Sequence, residues 1–218
     1  MSEPGKDGWV LALDTSTDWA GVAVTDGRYL FEQNWLAGRW QTSQVMPEIE
    51  RLLATAAVPP AELSAVAVAT GPGSFSGLRV GMAIANGLAV AAGVPTIGVS
   101  TLAISQRPWT GLGRPVVAVV KAGRHRYGWG SDSAGAEPVN GTIVELVEYL
   151  RQVTPAIVVG ELDDEDAVRI RELTGATVPQ EPDRLRRAAS LASMGWDIWR
   201  AGEYDPGAIP EPTYLHRT

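Results

Sequence analysis

The sequence predicts an α/β protein built from two consecutive copies of a β-β-β-α-β-α unit, of which the second is degraded. Three observations support this fold class. Short apolar runs alternate with longer segments of helical periodicity. The turn signal Asp26–Gly27 follows the second apolar run and predicts a hairpin. A glycine-rich loop, ATGPGSFSGLRVG at residues 69–81, joins an apolar run to a helical segment. The 218 residues suffice for one compact domain or two small ones.

The first copy occupies the N-terminal half, and its elements follow in order. Two apolar runs, WVLALDTS and WAGVAVTDG, and a third strand, RYLFEQNWLA, after the hairpin signal predict an antiparallel meander. The segment TSQVMPEIERLLATAAV has the apolar spacing of a helix and ends at Pro59–Pro60. A strand, LSAVAVAT, leads into the glycine-rich loop. The helix SGLRVGMAIANGLAVAAG then ends at Gly93, a residue typical of C-caps, and a fifth strand, VPTIGVS, follows.

The second copy is recognisable by its element order alone. The segments PVVAVVKAGR and HRYGWGSD predict a strand pair, and NGTIVELVEYLRQV predicts a helix. A strand, AIVVGE, is followed by DDEDAVRIREL, a helix with acids at its N-terminus, and by a final helix, RAASLASMGWDIWRAG. The segment from Ser105 to Gly113 marks the joint. We therefore expect domains at residues 1–105 and 106–218, with the final helix packing back on the first domain.

Composition excludes several classes of chemistry. The chain has no cysteine, which removes disulfides, thiolate nucleophiles and cysteine metal sites. No apolar run is expected to reach the roughly 18 residues that a membrane helix needs, and the N-terminus lacks the features of a secretory signal. A formal net charge of -7 disfavours unaided nucleic-acid binding. These properties predict a cytoplasmic protein with no membrane contact.

One stretch departs from the acidic average. Between residues 107 and 131 the basic residues are not interrupted by an acid, and they are Arg107, Arg114, Lys121, Arg124 and Arg126. They fit either a solvated strand edge protected by charge or a contact patch for RNA or a nucleotide. The sequence leaves both interpretations open.

Two groups of small and polar residues are candidates for a phosphate site. An acid and hydroxyls end the first strand, and the glycine-rich loop opens a helix whose free N–H groups and positive dipole end favour anions. The candidate nucleotide-binding residues are Asp14, Thr15, Ser16, Gly71, Pro72, Gly73 and Ser74. The loop has neither the Walker spacing nor the dinucleotide-binding spacing. A simple Asx or Ser turn is the alternative for the first group, and ADP or ATP is expected only as a weak or interfacial ligand.

The helix after the glycine-rich loop carries small residues that are mostly four apart, among them Gly77, Gly81, Ala85 and Ala89. Small side chains along one face allow another element to approach closely. A glycine inside a helix costs up to roughly 1 kcal/mol relative to alanine, so Gly81 and Gly87 indicate a packing requirement. That requirement is either tight packing on the protein's own sheet or a seam for a partner subunit.

Four segments resemble the TsaB (YeaZ) family, which is related to TsaD and the M22 glycoproteases: LALDTSTDWAGVAV, QTSQVMPEIERLL, VAVATGPGSFSGLRVGMAIANGLAVAAGVPTIGVSTL and PTYLHR. The match is concentrated in the first copy. The resemblance implies the actin/Hsp70/sugar-kinase (ASKHA) fold, with two domains facing a cleft. It also implies a non-catalytic scaffold or activator that pairs with TsaD for threonylcarbamoyl transfer to adenosine in tRNA.

The resemblance further implies partners and a docking face. We expect a TsaD-like catalytic subunit, a TsaE-like ATPase acting through the complex, tRNA bound only within the complex, and self-association as a homodimer. Helices at 42–57 and 76–92 are expected to meet the matching helices of the partner. Replacing Gly81 or Ala85 by a bulky residue is expected to abolish pairing without unfolding the chain. The expected contact residues are Met46, Ile49, Leu53, Gly77, Gly81, Ala85, Leu88 and Ala89.

The metal of TsaD is expected to be absent. TsaD has the pattern V-N-H-x-x-x-H after the corresponding strand, whereas this chain has Thr101 and Ser105 at the two histidine positions. Hydroxyls are poor ligands for a transition metal. The histidines of this chain, His125 and His216, lie singly elsewhere. We expect no catalytic residue and no required cofactor. The alternative is a stand-alone ATP-dependent kinase-like enzyme or an M22-type metallopeptidase, with Asp14 as its one candidate residue.

The chain departs from the family pattern where the second domain opens. The family often has the pattern D-A-R-x-G-E-V-Y there. In KAGRHRYGWG, Lys121 and Arg126 stand at the places of the two acids. A docking role is unaffected by these changes, but nucleotide contacts of the family in this region are not carried over to this chain.

Overall fold

The computed structural model describes residues 8–123, 126–132, 138–181 and 183–215, without the side chains of Arg39 and Gln41. The chain divides into two compact units. Unit 1 comprises Met1–Ser100 and Arg187–Thr213, and unit 2 comprises Thr101–Arg186 and Tyr214–Thr218. Unit 1 is therefore assembled from two separate stretches of the chain.

The described residues form strands and helices in the following order. The strands are β1 (Trp9–Asp14), β2 (Trp19–Thr25), β3 (Leu30–Leu36), β4 (Leu63–Gly71), β5 (Thr96–Ser100), β6 (Val116–Lys121), β7 (Arg126–Ser131), β8 (Val139–Thr142) and β9 (Ile157–Gly160). The helices are α1 (Gln41–Ala56), α2 (Phe75–Ala92), α3 (Thr101–Gln106), α4 (Ile143–Val153), α5 (Asp164–Thr174) and α6 (Ala188–Ala201).

The sheet of unit 1 has the strand order β3-β2-β1-β4-β5. β2 pairs antiparallel with both β1 and β3, which confirms the predicted meander. Strands β4 and β5 continue the sheet parallel to β1. Every residue of β1 is buried, as expected of a strand that is covered on both faces and therefore has a continuous apolar sequence.

Helices cover both faces of this sheet. α1 and α2 pack on the face that carries Leu11, Leu13 and Val68. α6 packs on the opposite face, where an added β-carbon at Gly195 would lie 2.5 Å from the β-carbon of Ala67. The missing side chain at Gly195 lets α6 lie directly on the central strands. A helix from the C-terminal part of the chain thus completes the core of unit 1.

The sheet of unit 2 has the strand order β8-β7-β6-β9. β7 is antiparallel to both β6 and β8, and β9 is parallel to β6. The sequence predicts only a strand pair here and begins the next helix at residue 140, so β8 corrects that prediction. The four residues of β8, VNGT, include a single apolar side chain. Their strand conformation is set by pairing with β7 and not by a local pattern.

Both units repeat one element order. It is β1-β2-β3-α1-β4-α2 in unit 1 and β6-β7-β8-α4-β9-α5 in unit 2, which confirms the predicted pair of β-β-β-α-β-α copies. α3 belongs to unit 2 because it packs on β6 and β9. The boundary predicted after residue 105 therefore falls inside α3. α6, which follows the second copy in the chain, is part of unit 1.

α2 is long and apolar enough to pass a test for a membrane span based on length and composition. The prediction that no segment reaches this limit is therefore wrong for this helix. The core helix of a soluble protein passes the same test. α2 packs on β4, and its buried residues are Gly77, Leu78, Gly81, Met82, Ala85 and Ala89.

Candidate functional site

The turn after β1 brings three predicted residues together. The Asp14 carboxylate accepts hydrogen bonds from the backbone N–H of Ser16 at 2.8 Å and from its hydroxyl at 2.5 Å. Asp14, Thr15 and Ser16 are all buried. This arrangement is the Asx-type turn that the sequence offered as an alternative to a phosphate site. The carboxylate therefore holds the turn in place.

Thr15 joins this turn to α2. Its hydroxyl donates to the carbonyl oxygen of Gly77 at 2.7 Å. An added β-carbon at Gly81 would lie only 2.4 Å from Thr15 Oγ1. Gly81 is therefore required by the protein's own turn. Of the two explanations for the small residues of α2, packing within unit 1 applies at this position.

The glycine-rich loop closes on the same turn. The Ser74 N–H donates to the carbonyl oxygen of Ser16 at 2.6 Å, and a β-carbon at Gly73 would lie 2.3 Å from that oxygen. Ser74 caps α2 by accepting a hydrogen bond from the N–H of Gly77 at 3.3 Å. A phosphate bound to the Ser74 N–H would have to displace the Ser16 carbonyl group. The loop and the turn thus bind each other.

The start of the loop contacts a residue near the C-terminus. Gly71 has a φ of +108°, a conformation that favours glycine. Its β-carbon would lie 2.4 Å from the carbonyl oxygen of Thr213, whose N–H donates to the carbonyl oxygen of Thr70 at 2.7 Å. Gly71 and Pro72 are buried. The seven predicted nucleotide-binding residues are thus close together in unit 1, where β1 and β4 end.

The predicted partner-contact residues divide by exposure. Met46 and Leu88 are half-buried. The other six are buried in unit 1, and they are Ile49, Leu53, Gly77, Gly81, Ala85 and Ala89. The expected close approach of a partner is corrected at Gly81 and Ala85, because Gly81 faces Thr15 and Ala85 is part of the apolar core. A bulky residue at Gly81 or Ala85 would disrupt unit 1 itself, contrary to the expectation.

An open apolar groove lies between α1 and α2, with a volume of about 490 Å³. We call it the α1–α2 groove. Its lining residues are Leu11, Met46, Ile49, Glu50, Leu53, Pro60, Ala61, Leu63, Leu88, Ala91 and Ala92. Four predicted contact residues, Met46, Ile49, Leu53 and Leu88, are among them. The groove is thus the accessible part of the predicted docking face.

Beside the groove, α2 exposes a second row of small residues, and the packing expected at Gly87 is not found within unit 1. Ala83, Gly87 and Ala91 are exposed and follow one another at intervals of four. Val90, on the same side of the helix, is 83% exposed. A β-carbon at Gly87 would meet nothing within 4 Å. The spacing was visible in the sequence, but the sequence does not show which of the two rows faces the sheet.

The two positions that correspond to the histidines of TsaD lie in α3. Thr101 and Ser105 are both buried, and the Ser105 hydroxyl donates to the carbonyl oxygen of Thr101 at 3.1 Å. Among the described residues, no group of three or more His, Asp or Glu side chains is placed to hold a metal ion. His125 and His216 lie outside the described residues.

The basic stretch makes contacts inside unit 2. Lys121 Nζ forms an ion pair with Asp163 at 2.7 Å. Arg114 and Arg126 donate hydrogen bonds to side-chain and backbone oxygens of neighbouring segments of unit 2. Arg124 lies outside the described residues. Lys121 and Arg126 lie on β6 and β7, the two inner strands of this sheet, so the contacts do not support the interpretation as a charged strand edge.

A buried tyrosine lies next to this ion pair. The Tyr127 hydroxyl donates to Asp166 Oδ2 at 2.6 Å and also lies 3.2 Å from Asp163 Oδ2. Burial, followed by the hydrogen bond to Asp166, raises the pKa of Tyr127 well above its usual value. The cluster therefore joins β6 and β7 to the N-terminus of α5, where acids are also favoured by the helix dipole.

Comparisons with known proteins agree with this fold. The family profile described as "TsaD: tRNA N6-adenosine threonylcarbamoyltransferase" matches residues 36–158. The tRNA threonylcarbamoyladenosine biosynthesis protein TsaB of Escherichia coli (strain K12) is 35% identical over 122 residues, which are 55% of this chain and 53% of that protein. The chain thus spans about half the length of this curated relative.

Two further relatives match nearly end to end. An uncharacterized protein of Mycobacterium bovis is 30% identical over 212 residues, covering 95% of this chain and 92% of that protein. The solved structure of YeaZ from Pseudomonas aeruginosa superposes with a TM-score of 0.75 at 25% identity, covering 95% of this chain and 100% of that chain.

The repeated topology and these likenesses define an ASKHA-fold protein of the group related to TsaD. Within that group, the chain belongs to the TsaB/YeaZ family.

Proposed function

We propose that this chain is a subunit of the machinery that makes threonylcarbamoyladenosine in tRNA. Its E. coli relative is named for that biosynthesis, and the matching family profile is named for the transferase. Within the machinery, the chain is a non-catalytic scaffold or activator that pairs with a TsaD-like catalytic subunit. The observation that carries this proposal is the α1–α2 groove.

The groove has the chemistry of a protein-docking site. Of its lining residues, only Glu50 carries a charge. Filling such a surface with apolar side chains contributes roughly 25 cal/mol per Å² of buried area before the costs of association. The exposed row of Ala83, Gly87 and Ala91 lets the backbone of a partner helix approach α2 closely. Groove and row together suit an apolar helix of the partner.

Contacts around the candidate phosphate site support a non-catalytic role. The Asp14 carboxylate holds its own turn, and the Ser74 N–H is bonded to the Ser16 carbonyl oxygen. At the positions of the TsaD histidines, the Ser105 hydroxyl donates a hydrogen bond to the carbonyl oxygen of Thr101 within α3. A kinase-like or metallopeptidase activity needs a catalytic set at the site. No contact among the described residues favours that alternative over docking.

The remaining partners follow from the same proposal. In the absence of a TsaD-like subunit, the open groove promotes self-association as a homodimer, because it leaves apolar surface exposed. A TsaE-like ATPase acts through the complex, and tRNA binds only within the complex. ADP or ATP is a weak or interfacial ligand and not a required cofactor. Calorimetric titration of each nucleotide with and without the TsaD-like subunit tests this last point.

The docking proposal is tested by matched Ala→Trp substitutions. Ala91 lines the groove, and Ala201 is an exposed residue at the end of α6, away from the groove. We expect Ala91→Trp to weaken binding to the purified TsaD-like subunit at least about tenfold, as expected for an interface hot spot, and Ala201→Trp to leave it unchanged. Binding is measured by calorimetry, and folding of each variant by thermal unfolding.

A modification assay completes the test. Threonylcarbamoyl transfer to tRNA is measured with the TsaD-like subunit, with and without this chain. We expect the chain to stimulate transfer and to show none alone. Normal binding by a folded Ala91→Trp variant would exclude the groove as the docking site. Transfer by the isolated chain would exclude the non-catalytic role.

A further inference from the structure

The segment Pro210–Thr213, here called the strap, crosses the ends of two strands in unit 1. The N–H of Thr213 donates to the carbonyl oxygen of Thr70 at 2.7 Å. An added β-carbon at Gly98 would lie 2.9 Å from the β-carbon of Pro210. The strap therefore contacts β4 through its own backbone and β5 through a proline. It contains the start of the PTYLHR motif, for which docking through the groove gives no role.

The composition of the strap favours a fixed path. Pro210 and Pro212 have restricted φ angles, which lowers the entropy lost when the segment becomes ordered. Prolines also lack a backbone N–H, so Glu211 and Thr213 supply the only backbone donors of the strap. The donor of Thr213 is the one bonded to β4. The Thr213 side chain itself is exposed.

The strap reaches the glycine-rich loop at its first residue. The carbonyl oxygen of Thr213 would lie 2.4 Å from a β-carbon at Gly71, so only glycine leaves room for it. Three residues further on, Ser74 bonds to Ser16 and caps α2. The path of the strap thus fixes where the loop begins, and the loop fixes where α2 begins. α2 in turn forms one wall of the α1–α2 groove.

We propose that Thr213 is a positioning residue for the docking site, acting through its backbone on Gly71 and on the N-terminus of α2. Loss of its N–H donor loosens the glycine-rich loop and misplaces the α2 wall of the groove. The effect on the partner rests on the proposed function, whereas the effect on the loop does not. The strap thereby links the C-terminal motif of the chain to its glycine-rich motif.

Two substitutions at one position separate the backbone from the side chain. Thr213→Pro removes the N–H donor, and Thr213→Ala keeps it. We expect Thr213→Pro to speed hydrogen exchange at the amides of Ser74, Gly77 and Leu78 about tenfold or more, and Thr213→Ala to leave it unchanged. Affinity for the TsaD-like subunit should fall about fivefold or more with Thr213→Pro only, as in a moderate coupling between distant sites.

Gly71→Ala approaches the same contact from the loop side and replaces Thr213→Pro if that variant does not fold. Its β-carbon meets the Thr213 carbonyl group, and we expect the same two effects. Unchanged exchange at the three amides would overturn the proposal. Faster exchange with unchanged affinity would also overturn it, since the strap would then not act on docking. If the unaltered chain does not bind the TsaD-like subunit, the proposed function fails, while the exchange result still decides the role of the strap on the loop.

Discussion

Gly81 of α2 lies directly against Thr15 of the β1–β2 turn, so that an added β-carbon would fall 2.4 Å from Thr15 Oγ1. That oxygen cannot move away without giving up its hydrogen bond to Gly77. We expect Gly81→Ala to lower the free energy of unfolding by about 1–3 kcal/mol, the usual cost of overpacking. Urea denaturation measures the change.

Gly87 on the same helix is the matched control. A β-carbon there meets nothing within 4 Å, so alanine only improves helix propensity. We expect Gly87→Ala to raise the free energy of unfolding by up to about 1 kcal/mol. Changes of the same sign at both glycines would mean that the two faces of α2 are wrongly assigned.

The raised pKa of Tyr127 predicts that the protein loses stability at alkaline pH. Because burial and Asp166 raise its pKa in the folded protein above the ordinary value of 10.0, the stabilisation is complete below that pH and is lost as pH rises above it. Tyr127→Phe removes the hydrogen bonds and should cost about 1 kcal/mol at pH 8. The difference in the free energy of unfolding between the unaltered chain and Tyr127→Phe should be smaller at pH 11. An equally large difference in the free energy of unfolding at both pH values would contradict a raised pKa of Tyr127 in the folded protein.

Glu145 predicts a loss of stability in acid. Its carboxylate accepts from the N–H and the hydroxyl of Thr142, and Thr142 Oγ1 accepts from the Glu145 N–H, so the pair forms a capping box on α4. The backbone hydrogen bond from Thr142, then the hydroxyl, lowers the pKa of Glu145 below 4.5. The stabilisation is present above that pH and is lost as pH falls through the lowered value.

The measurement compares the unaltered chain with Glu145→Ala by urea denaturation at pH 7 and at pH 3. We expect the substitution to destabilise the protein at pH 7 and to matter less at pH 3. Glu145→Gln keeps a hydrogen-bond acceptor without the charge. At pH 7 its free energy of unfolding should therefore lie between those of the unaltered chain and Glu145→Ala. A Glu145→Ala effect that grows toward acid pH would show that the carboxylate does not cap α4.

The ion pair between Lys121 and Asp163 should contribute little to the free energy of unfolding. Both side chains are about half exposed, and exposed pairs typically contribute about 0.2–1 kcal/mol. A double-mutant cycle with Lys121→Ala and Asp163→Ala should give a coupling energy in that range, reduced in 1 M salt by screening. A coupling energy that is independent of salt would show that the pair is not solvent-screened.

The sequence predicted β1, β2, β4 and β5 because each is a continuous or alternating apolar run, and it predicted β3, which has Glu32, Gln33 and Asn34 at its centre, from the hairpin signal before it. The caps of α2 were also predictable, since Ser74 and Gly93 are residues that favour those positions. β8 was missed because its conformation depends on pairing with β7, and nothing local in VNGT indicates a strand. α3 was missed because six residues are too few for a periodic pattern.

The candidate site was predictable in its members but not in its contacts. The glycine-rich loop and the turn after β1 were both selected, yet their hydrogen bonds to each other join positions far apart in the chain. The orientation of α2 was missed for a related reason. Two rows of small residues run along it, and only the position of Thr15 decides that Gly81 faces inward. Thr213 lies in the PTYLHR segment, but its contacts with Thr70 and Gly71 are made by backbone atoms and have no sequence pattern of their own.

The closure of unit 1 by α6, through the contact of Gly195 with Ala67, has a consequence for biosynthesis. When Ser100 leaves the ribosome, all five strands of the sheet exist, but the face that α6 covers is still bare. At about 5–20 residues per second, translation of the next hundred residues takes roughly 5–20 seconds. During that interval the nascent chain presents an uncovered apolar sheet face, to which a ribosome-associated chaperone would be expected to bind.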